Sequence, residues 1–228
     1  VYQVPFDGNL DPAASKTVNV NAPVKIPPVL SKDGKFLYVM TQDGKLYKID
    51  TQTFAPPSPT SLIAQLGGEF TVPMAMDENG YLYALNSSGV LYKIDTSGTE
   101  NHVGTGLTSS DSAGVLIDGD GYIYVFGGGK IFVFSSDSLI NMTPGGYSTG
   151  TGQKITTTPA IVIGTDGITY VIVPSSYNGS SGKITILAFN PTAGTLTLEK
   201  EWEIPGSFPI SAAVGVAPVN ELNGNYYF

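Results

Sequence analysis

Cysteine is absent from this chain of 228 residues, which excludes disulfides, thiolate chemistry and cysteine-ligated zinc or iron–sulfur centres. Histidine occurs once, as His102, so a histidine-rich metal site is excluded as well. Any Ser–His–Asp arrangement would depend on that one residue, which follows polar neighbours in a predicted loop. We therefore interpret His102 as a solvated loop residue and not as a catalytic base.

Charge is also scarce, because Asp, Glu, Lys and Arg together make up 13% of the sequence. The net charge of −8 and the pI near 4.4 repel nucleic-acid phosphates and anionic lipid. No signal peptide and no apolar run of membrane-spanning length is present, so membrane insertion is not expected. The neutral polar composition favours an extracellular or cell-surface protein, and the start at Val1 fits a processed secreted chain and a trimmed chain equally well.

The sequence does contain a repeated hairpin signal. An Asn-Gly or Asp-Gly pair followed within a few residues by Tyr occurs five times, at intervals of 41 to 57 residues. These pairs favour type I′ turns, in which both central residues need φ > 0. A hairpin that recurs at this period is typical of a β-propeller with one blade per copy. The five glycines are Gly34, Gly80, Gly121, Gly167 and Gly224.

Each of the first four copies continues with a second glycine turn and an alternating run such as 45–49, which is typical of a strand. A third turn and a short apolar stretch complete the unit, so four antiparallel strands, A to D, are predicted per copy. The fifth copy is divided between the chain ends, with strands A and B in 211–228 and strands C and D at the N-terminus. Pairing these ends in one blade would remove the open edges of the array.

The sequence therefore predicts an all-β, five-bladed β-propeller that forms one domain, residues 1–228. The N-terminal strands C and D close the ring against the C-terminal strands A and B. A fragment of a larger ring is the alternative, for which a fractional number of copies would be expected. The predicted blades are 22–66, 67–108, 109–153, 154–205 and, for the split fifth blade, 206–228 with 1–21.

The run PPVLSKDGKFLYVMTQDGKLYKID, residues 27–50, resembles the repeat of the PQQ-like (quinoprotein-type) propeller family. The second and third copies are similar, and the fourth carries Trp202 near the place where that family has a tryptophan. The resemblance implies a propeller scaffold and not an activity. Quinoprotein enzymes of this type have eight Trp-bearing blades, adjacent cysteines and a calcium-holding Glu/Asn/Asp set. With five copies, one Trp and no Cys, this chain is not expected to bind the quinone or any other cofactor.

Five-bladed propellers also include glycosidases, which need carboxylates about 5–9.5 Å apart. No Asp or Glu occurs in the predicted A strands, and Glu69 is the nearest acid that a loop could supply. We therefore expect no catalysis, and a carbohydrate-active enzyme similar to these glycosidases is the alternative hypothesis. The A strands are 24–30, 70–76, 113–117, 159–163 and 212–219.

Asp118-Gly119-Asp120-Gly121 resembles part of a calcium loop, since alternate carboxylates can face one hard cation. Asp118 and Asp120 are the candidate calcium ligands, and an ordinary hairpin turn is the alternative. The triplet 127–129 precedes no helix and no Lys-Ser/Thr pair, so a B–C turn is predicted there instead of a phosphate-binding loop.

Tyr147 and Tyr177 fall outside the repeat positions, in Gly/Ser/Thr-rich insertions at 144–152 and 174–182. Exposed loop aromatics are favoured contact residues, so we interpret both as candidate partner contacts, with solvent-facing decoration as the alternative. The sequence thus predicts a non-catalytic secreted or cell-surface module that binds a glycan or protein, or assembles with copies of itself. Sequons mark candidate N-glycosylation at Asn86, Asn141 and Asn178, with chance occurrence in a Ser/Thr/Asn-rich chain as the alternative.

Overall fold

A computed structural model describes residues 2–3, 16–54, 61–107, 112–155, 157–177 and 181–204. The chain divides into two compact units, Val1–Val103 and Gly104–Phe228, and each is described by itself. All the regular elements in the described ranges are β-strands. No helix long and apolar enough to cross a membrane occurs in those ranges.

Unit 1 contains one two-stranded and two four-stranded antiparallel sheets. The small sheet pairs β1 (Tyr2–Gln3) with β2 (Lys16–Thr17). Sheet I has the order β3 (Val29–Leu30), β4 (Phe36–Met40), β5 (Lys45–Asp50) and β6 (Leu62–Gln65). Sheet II consists of β7 (Ala75–Met76), β8 (Leu82–Leu85), β9 (Val90–Ile94) and β10 (Glu100–Gly104), also in sequential order.

Unit 2 contains a four-stranded and a five-stranded antiparallel sheet. Sheet III has the order β11 (Ser112–Ile117), β12 (Tyr122–Gly127), β13 (Lys130–Ser135) and β14 (Tyr147–Ser148). In sheet IV the neighbours are β15 (Gln153–Ile155), β17 (Thr169–Tyr177), β18 (Ser181–Asn190) and β19 (Thr195–Glu203), and β16 (Ala160–Ile163) also pairs with β17. The prediction of sequential four-stranded antiparallel sheets is confirmed for sheets I, II and III.

Sheet packing follows from the two-residue period of the strands, which sends alternate side chains to opposite faces. In unit 1 one apolar cluster joins sheet I, through Tyr38 and Leu46, to sheet II, through Leu82 and Tyr92. A second cluster covers the other face of sheet I with residues of the chain segment that follows β2, including Val18, which is 1% exposed. In unit 2 the equivalent cluster lies between sheets III and IV.

In the described residues, the first hairpin turn of each copy lies where the sequence predicts it, but the expected type I′ geometry is wrong, and the B–C turn predicted at 181–182 lies inside β18. Gly80 and Gly121 have φ of 87° and 84°, whereas Asn79 and Asp120, which precede them, are not among the positive-φ residues. The Gly80 N–H donates to Asp77 O, and the Asp77 N–H donates to Tyr81 O. This is the pattern of a type I turn followed by a glycine bulge, which needs only one residue in the left-handed region.

The predicted B–C turn at 127–129 is confirmed, and among the predicted hairpins that the structure describes it alone has two central residues at positive φ. Gly128 and Gly129 have φ of 55° and 77°, and Gly127 pairs directly with Lys130. This two-residue connection has the type I′ geometry that the other turns lack.

The two predicted insertions contain strand structure. Segment 174–182 supplies the end of β17 and the start of β18, and Pro174 pairs with Ile184. Tyr147 lies in β14 opposite Ile131. The predicted pairing of the N-terminal strands with 211–228 lies outside the described residues, as do Asn178 and the fifth Asn-Gly turn at 223–224.

Candidate functional site

The two candidate calcium ligands lie in the hairpin between β11 and β12. Asp118 Oδ1 accepts the backbone N–H groups of Asp120 at 3.0 Å and Tyr122 at 2.9 Å, and its Oδ2 accepts the Tyr124 hydroxyl at 2.8 Å. Both carboxylate oxygens of Asp118 are therefore engaged in holding the turn. Among the residues that the structure describes, no group of three or more His, Cys, Asp or Glu is placed to hold a metal.

Asp77 repeats the arrangement of Asp118 in sheet II. Its Oδ1 accepts the N–H groups of Asn79 and Tyr81 at 2.9 and 2.8 Å, and its Oδ2 accepts the Tyr83 hydroxyl at 2.9 Å. The carboxylate geometry at Asp118 is thus explained by the hairpin that both sheets share, and calcium binding at Asp118 and Asp120 stays a prediction.

Asn86 has the same turn-holding role. Its Oδ1 accepts the N–H groups of Ser88 and Val90, and its Nδ2 donates to Gly67 O at 2.8 Å. The side chain is 3% exposed, so a glycan on Nδ2 would displace a buried hydrogen bond. Asn141 is half-buried and its Oδ1 accepts the Thr143 N–H at 2.9 Å. Glycosylation of the three asparagines stays a prediction.

The two candidate contact tyrosines belong to the same end of unit 2, on either side of the turn 149–152. Tyr147 is half-buried and packs against the cluster between sheets III and IV, so the expectation of an exposed loop aromatic is wrong for this residue. Burial, and then the nearby Glu201 carboxylate, raise the pKa of Tyr147. Tyr177 is 45% exposed, and its ring lies against Gly152, where an added Cβ would come within 2.5 Å of it.

Lys183 lies beneath the turn 149–152 and is only 8% exposed. Its Nζ donates to Thr149 O at 2.6 Å and lies 2.9 Å from Glu201 Oε2. The ammonium group therefore ties the turn to β18 and β19. Nothing in the sequence distinguishes Lys183 from Lys45 and Lys130, which also lie near the start of third strands but are not buried.

A separate pocket lies in unit 1, with a cavity volume of about 470 Å³ and Asn21, Gln42, Asp43 and Glu69 among its lining residues. The Gln42 amide donates to Glu69 Oε1, and Asp43 accepts hydrogen bonds from the Lys45 ammonium and the Thr41 hydroxyl. These two partners, the Lys45 bond first, lower the pKa of Asp43. The sequence marked Glu69 as a loop acid but gave no signal that Asp43 lines the same pocket.

His102 lies on β10, not in the predicted loop, with its ring centroid 5.3 Å from that of Tyr92. Its side chain is exposed. The prediction that His102 faces solvent is therefore consistent with its position on the edge strand of the sheet.

Solved structures show the fold class to which these sheets belong. BamB from Moraxella catarrhalis is 16% identical, with a TM-score of 0.55 over 80% of this chain and 62% of that one. The Cps50 (Swd1) β-propeller domain of Myceliophteria thermophila is 11% identical, with a TM-score of 0.53 over 78% of this chain and 58% of that one. Dihydro-heme d1 dehydrogenase NirN in complex with DHE is 15% identical, with a TM-score of 0.56 over 79% and 38%.

These similarities confirm a β-propeller fold and, at such low identity, the fold alone. The chain spans less than two thirds of the length of each of these structures. No family model and no curated protein matches the sequence.

Proposed function

We propose that this chain is a non-catalytic binding or assembly module, displayed outside the cell or at its surface. It is built from PQQ-like propeller repeats in five blades, the fifth composed of 206–228 and 1–21. Its partner is a glycan or a protein, or another copy of the chain, bound at a loop face. The propeller class fits this role, because such folds carry many unrelated sites on one rigid scaffold, but it does not select the partner.

The observation that carries the proposal is the pair of tyrosines at one end of unit 2. Tyr147 and Tyr177 stand on β14 and β17, beside a turn that Lys183 and Glu201 hold in place. Aromatic rings fixed on strands offer a large contact area with few rotatable bonds, and the tyrosine hydroxyl adds a polar contact. The exposed ring of Tyr177 is the main contact, and Tyr147, half-buried against the cluster between sheets III and IV, offers the partner less surface.

A carbohydrate-active enzyme is the second candidate, because Asp43 and Glu69 line one pocket. A glycosidase needs one carboxyl group whose pKa is raised, so that it can protonate the leaving oxygen. The pKa of Asp43 is lowered, because its carboxylate accepts hydrogen bonds from Lys45 and Thr41. Asp43 is therefore not suited to be the general acid, and in a glycosidase that role would fall to Glu69.

Replacing Tyr177 by Ala tests the binding role. We expect glycan-array or partner binding to weaken about tenfold, since an exposed aromatic contact is worth about 1–2 kcal/mol, while the melting temperature stays nearly unchanged. Tyr81→Ala in unit 1 is the matched control, because Tyr81 is also partly exposed, at 36%. Equal loss of binding in both variants would contradict a specific site at Tyr177.

The enzymatic alternative has its own assay. Incubation with arabinan, xylan and related polysaccharides across acidic and neutral pH is expected to release no reducing sugar. Steady release that Glu69→Gln abolishes, and that the exposed-acid control Glu78→Gln leaves intact, would establish the enzyme instead.

A further inference from the structure

Beneath the turn 149–152, the face of sheet IV that packs on sheet III changes from apolar to polar. Val171, Val173 and Leu187 belong to the apolar cluster between the sheets. Farther along the same face, Ser175 pairs with Lys183, and Val173 pairs with Thr185. Residues paired across strands point to the same face, so Ser175, Lys183 and Thr185 continue the inner surface of the sheet.

Three side-chain oxygens in this region are buried without a hydrogen-bond partner. They are Ser175 Oγ, Thr185 Oγ1 and Gln153 Oε1, and Ser175 and Thr185 are both 0% exposed. A Cβ at Gly150 would lie 3.7 Å from Gln153 Cγ and 3.8 Å from Lys183 Nζ, so these two side chains border the same glycine. Gln153, Ser175, Lys183 and Thr185 are called the buried polar patch below.

An unpaired buried oxygen costs about 1–3 kcal/mol, so three of them in one patch point to a bound group that pairs with them. The charge of the patch selects that group. An anion is unsuitable because it would face the Glu201 carboxylate and the side-chain oxygen of Gln153. A cation is unsuitable because it would face the Lys183 ammonium, whose charge Glu201 already neutralises. An apolar group would leave the oxygens unpaired. A neutral molecule whose hydroxyls both donate and accept is the chemistry that fits.

We propose that the buried polar patch holds ordered water and, through it, binds the hydroxyl groups of a neutral glycan seated on Tyr177. Tyr177 pairs with Gln153 across β15 and β17, which places the exposed ring next to the patch. Water-mediated hydrogen bonds are nearly as favourable as direct ones, so buried hydroxyls contribute to affinity without touching the sugar. This inference rests on the glycan-binding form of the proposed function.

Thr185→Val tests the inference, because it removes one hydroxyl and keeps the shape of the side chain. Neutral gluco-, manno- and galacto-configured trisaccharides are titrated into the full chain by calorimetry, and water next to the residue 185 methyl groups is detected by NMR cross-relaxation. We expect a methyl-to-water signal in the wild type, and affinity about five- to tenfold weaker in Thr185→Val at unchanged or higher melting temperature. Thr197→Val, on the exposed strand β19, is the matched control and leaves affinity unchanged.

The failures of the two proposals are distinguishable. Sugar binding that Tyr177→Ala weakens and Thr185→Val does not would overturn the role of the patch and leave the proposed function standing. The same holds if the methyl group of Thr185 shows no contact with water. If none of the trisaccharides binds the wild type, both the glycan-binding form of the function and this inference are wrong.

Discussion

A single carboxylate organises each of two hairpins in this protein. Asp77 and Asp118 accept the N–H groups two and four residues later and the hydroxyl of a tyrosine six residues later. Tyr83 and Tyr124 are both 0% exposed, so these carboxylates also satisfy buried hydroxyls. Burial, and then the charge of Asp118, raise the pKa of Tyr124. The Asp–Tyr pair is therefore a structural unit.

Asp118→Ala is expected to lower the free energy of unfolding by about 2–3 kcal/mol, because the buried Tyr124 hydroxyl and two backbone N–H groups lose their acceptor. Adding Tyr124→Phe should recover about 1 kcal/mol, since both members of the pair are then apolar. Urea unfolding of the single and double variants measures the coupling. Asp120→Ala is the control, with a loss below about 0.5 kcal/mol.

The same variants test the calcium prediction. If millimolar calcium raises the melting temperature of the wild type, and both Asp118→Ala and Asp120→Ala abolish that increase, the two aspartates are calcium ligands after all. Sequence alone does not separate these outcomes, because a hairpin turn and a calcium loop both place Asp at alternate positions beside Gly. The tyrosine hydroxyl on the second carboxylate oxygen, a contact made through strand pairing, favours the hairpin turn, and the calcium titration decides.

At the scale of strands and turns, close approach between neighbouring sheets fixes several glycines. Gly98, in the turn after β9, has φ of 93°, and an added Cβ would lie 1.7 Å from Ile63 O on β6. Gly34, in the turn after β3, has φ of 71° with no atom within 4 Å of the added Cβ. Both glycines have a left-handed backbone conformation, and they differ in the space available for a Cβ atom.

Gly98→Ala is therefore expected to cost more than about 3 kcal/mol of stability, whereas Gly34→Ala costs about 1 kcal/mol from the left-handed backbone alone. Chemical denaturation of both variants is the measurement. Similar losses at both sites would show that sheet I and the turn of sheet II separate easily, contrary to the close contact in the structure.

The sequence located the turns well and the extent of strands poorly. Turn positions are predictable because glycine at positive φ is a local requirement. The strand through Pro174 was not predictable, because proline and serines are typical of loops. In the structure, pairing of β17 with β16 ends at Ile172 and pairing with β15 begins at Ser175, so Pro174 lies in the interval between the two partners. Only tertiary pairing reveals that such an interval exists.

At the scale of the whole molecule, the closed five-bladed ring remains a proposal that deletion of 1–15 tests. Removing these residues takes away one strand of the predicted closure but keeps Val18 and Val20, which cover sheet I. We expect exposed strand edges, hence aggregation in size-exclusion chromatography and a lower melting temperature. A truncated chain that stays monomeric with unchanged melting would contradict closure through the N-terminus.

The hairpin carboxylate also explains how sequence similarity can fade while the fold persists. In sheet IV the position equivalent to Asp77 is Gly164, yet Asp166, two residues later, accepts the Tyr170 hydroxyl at 2.7 Å. The acidic residue therefore stands at a different position of the turn and still accepts the hydroxyl of the equivalent tyrosine. Substitutions of this kind alter the motif without altering the sheet, so the copies of one hairpin differ in sequence more than in structure. Structural neighbours at 11–16% identity alongside unmatched family models are the expected outcome of such drift.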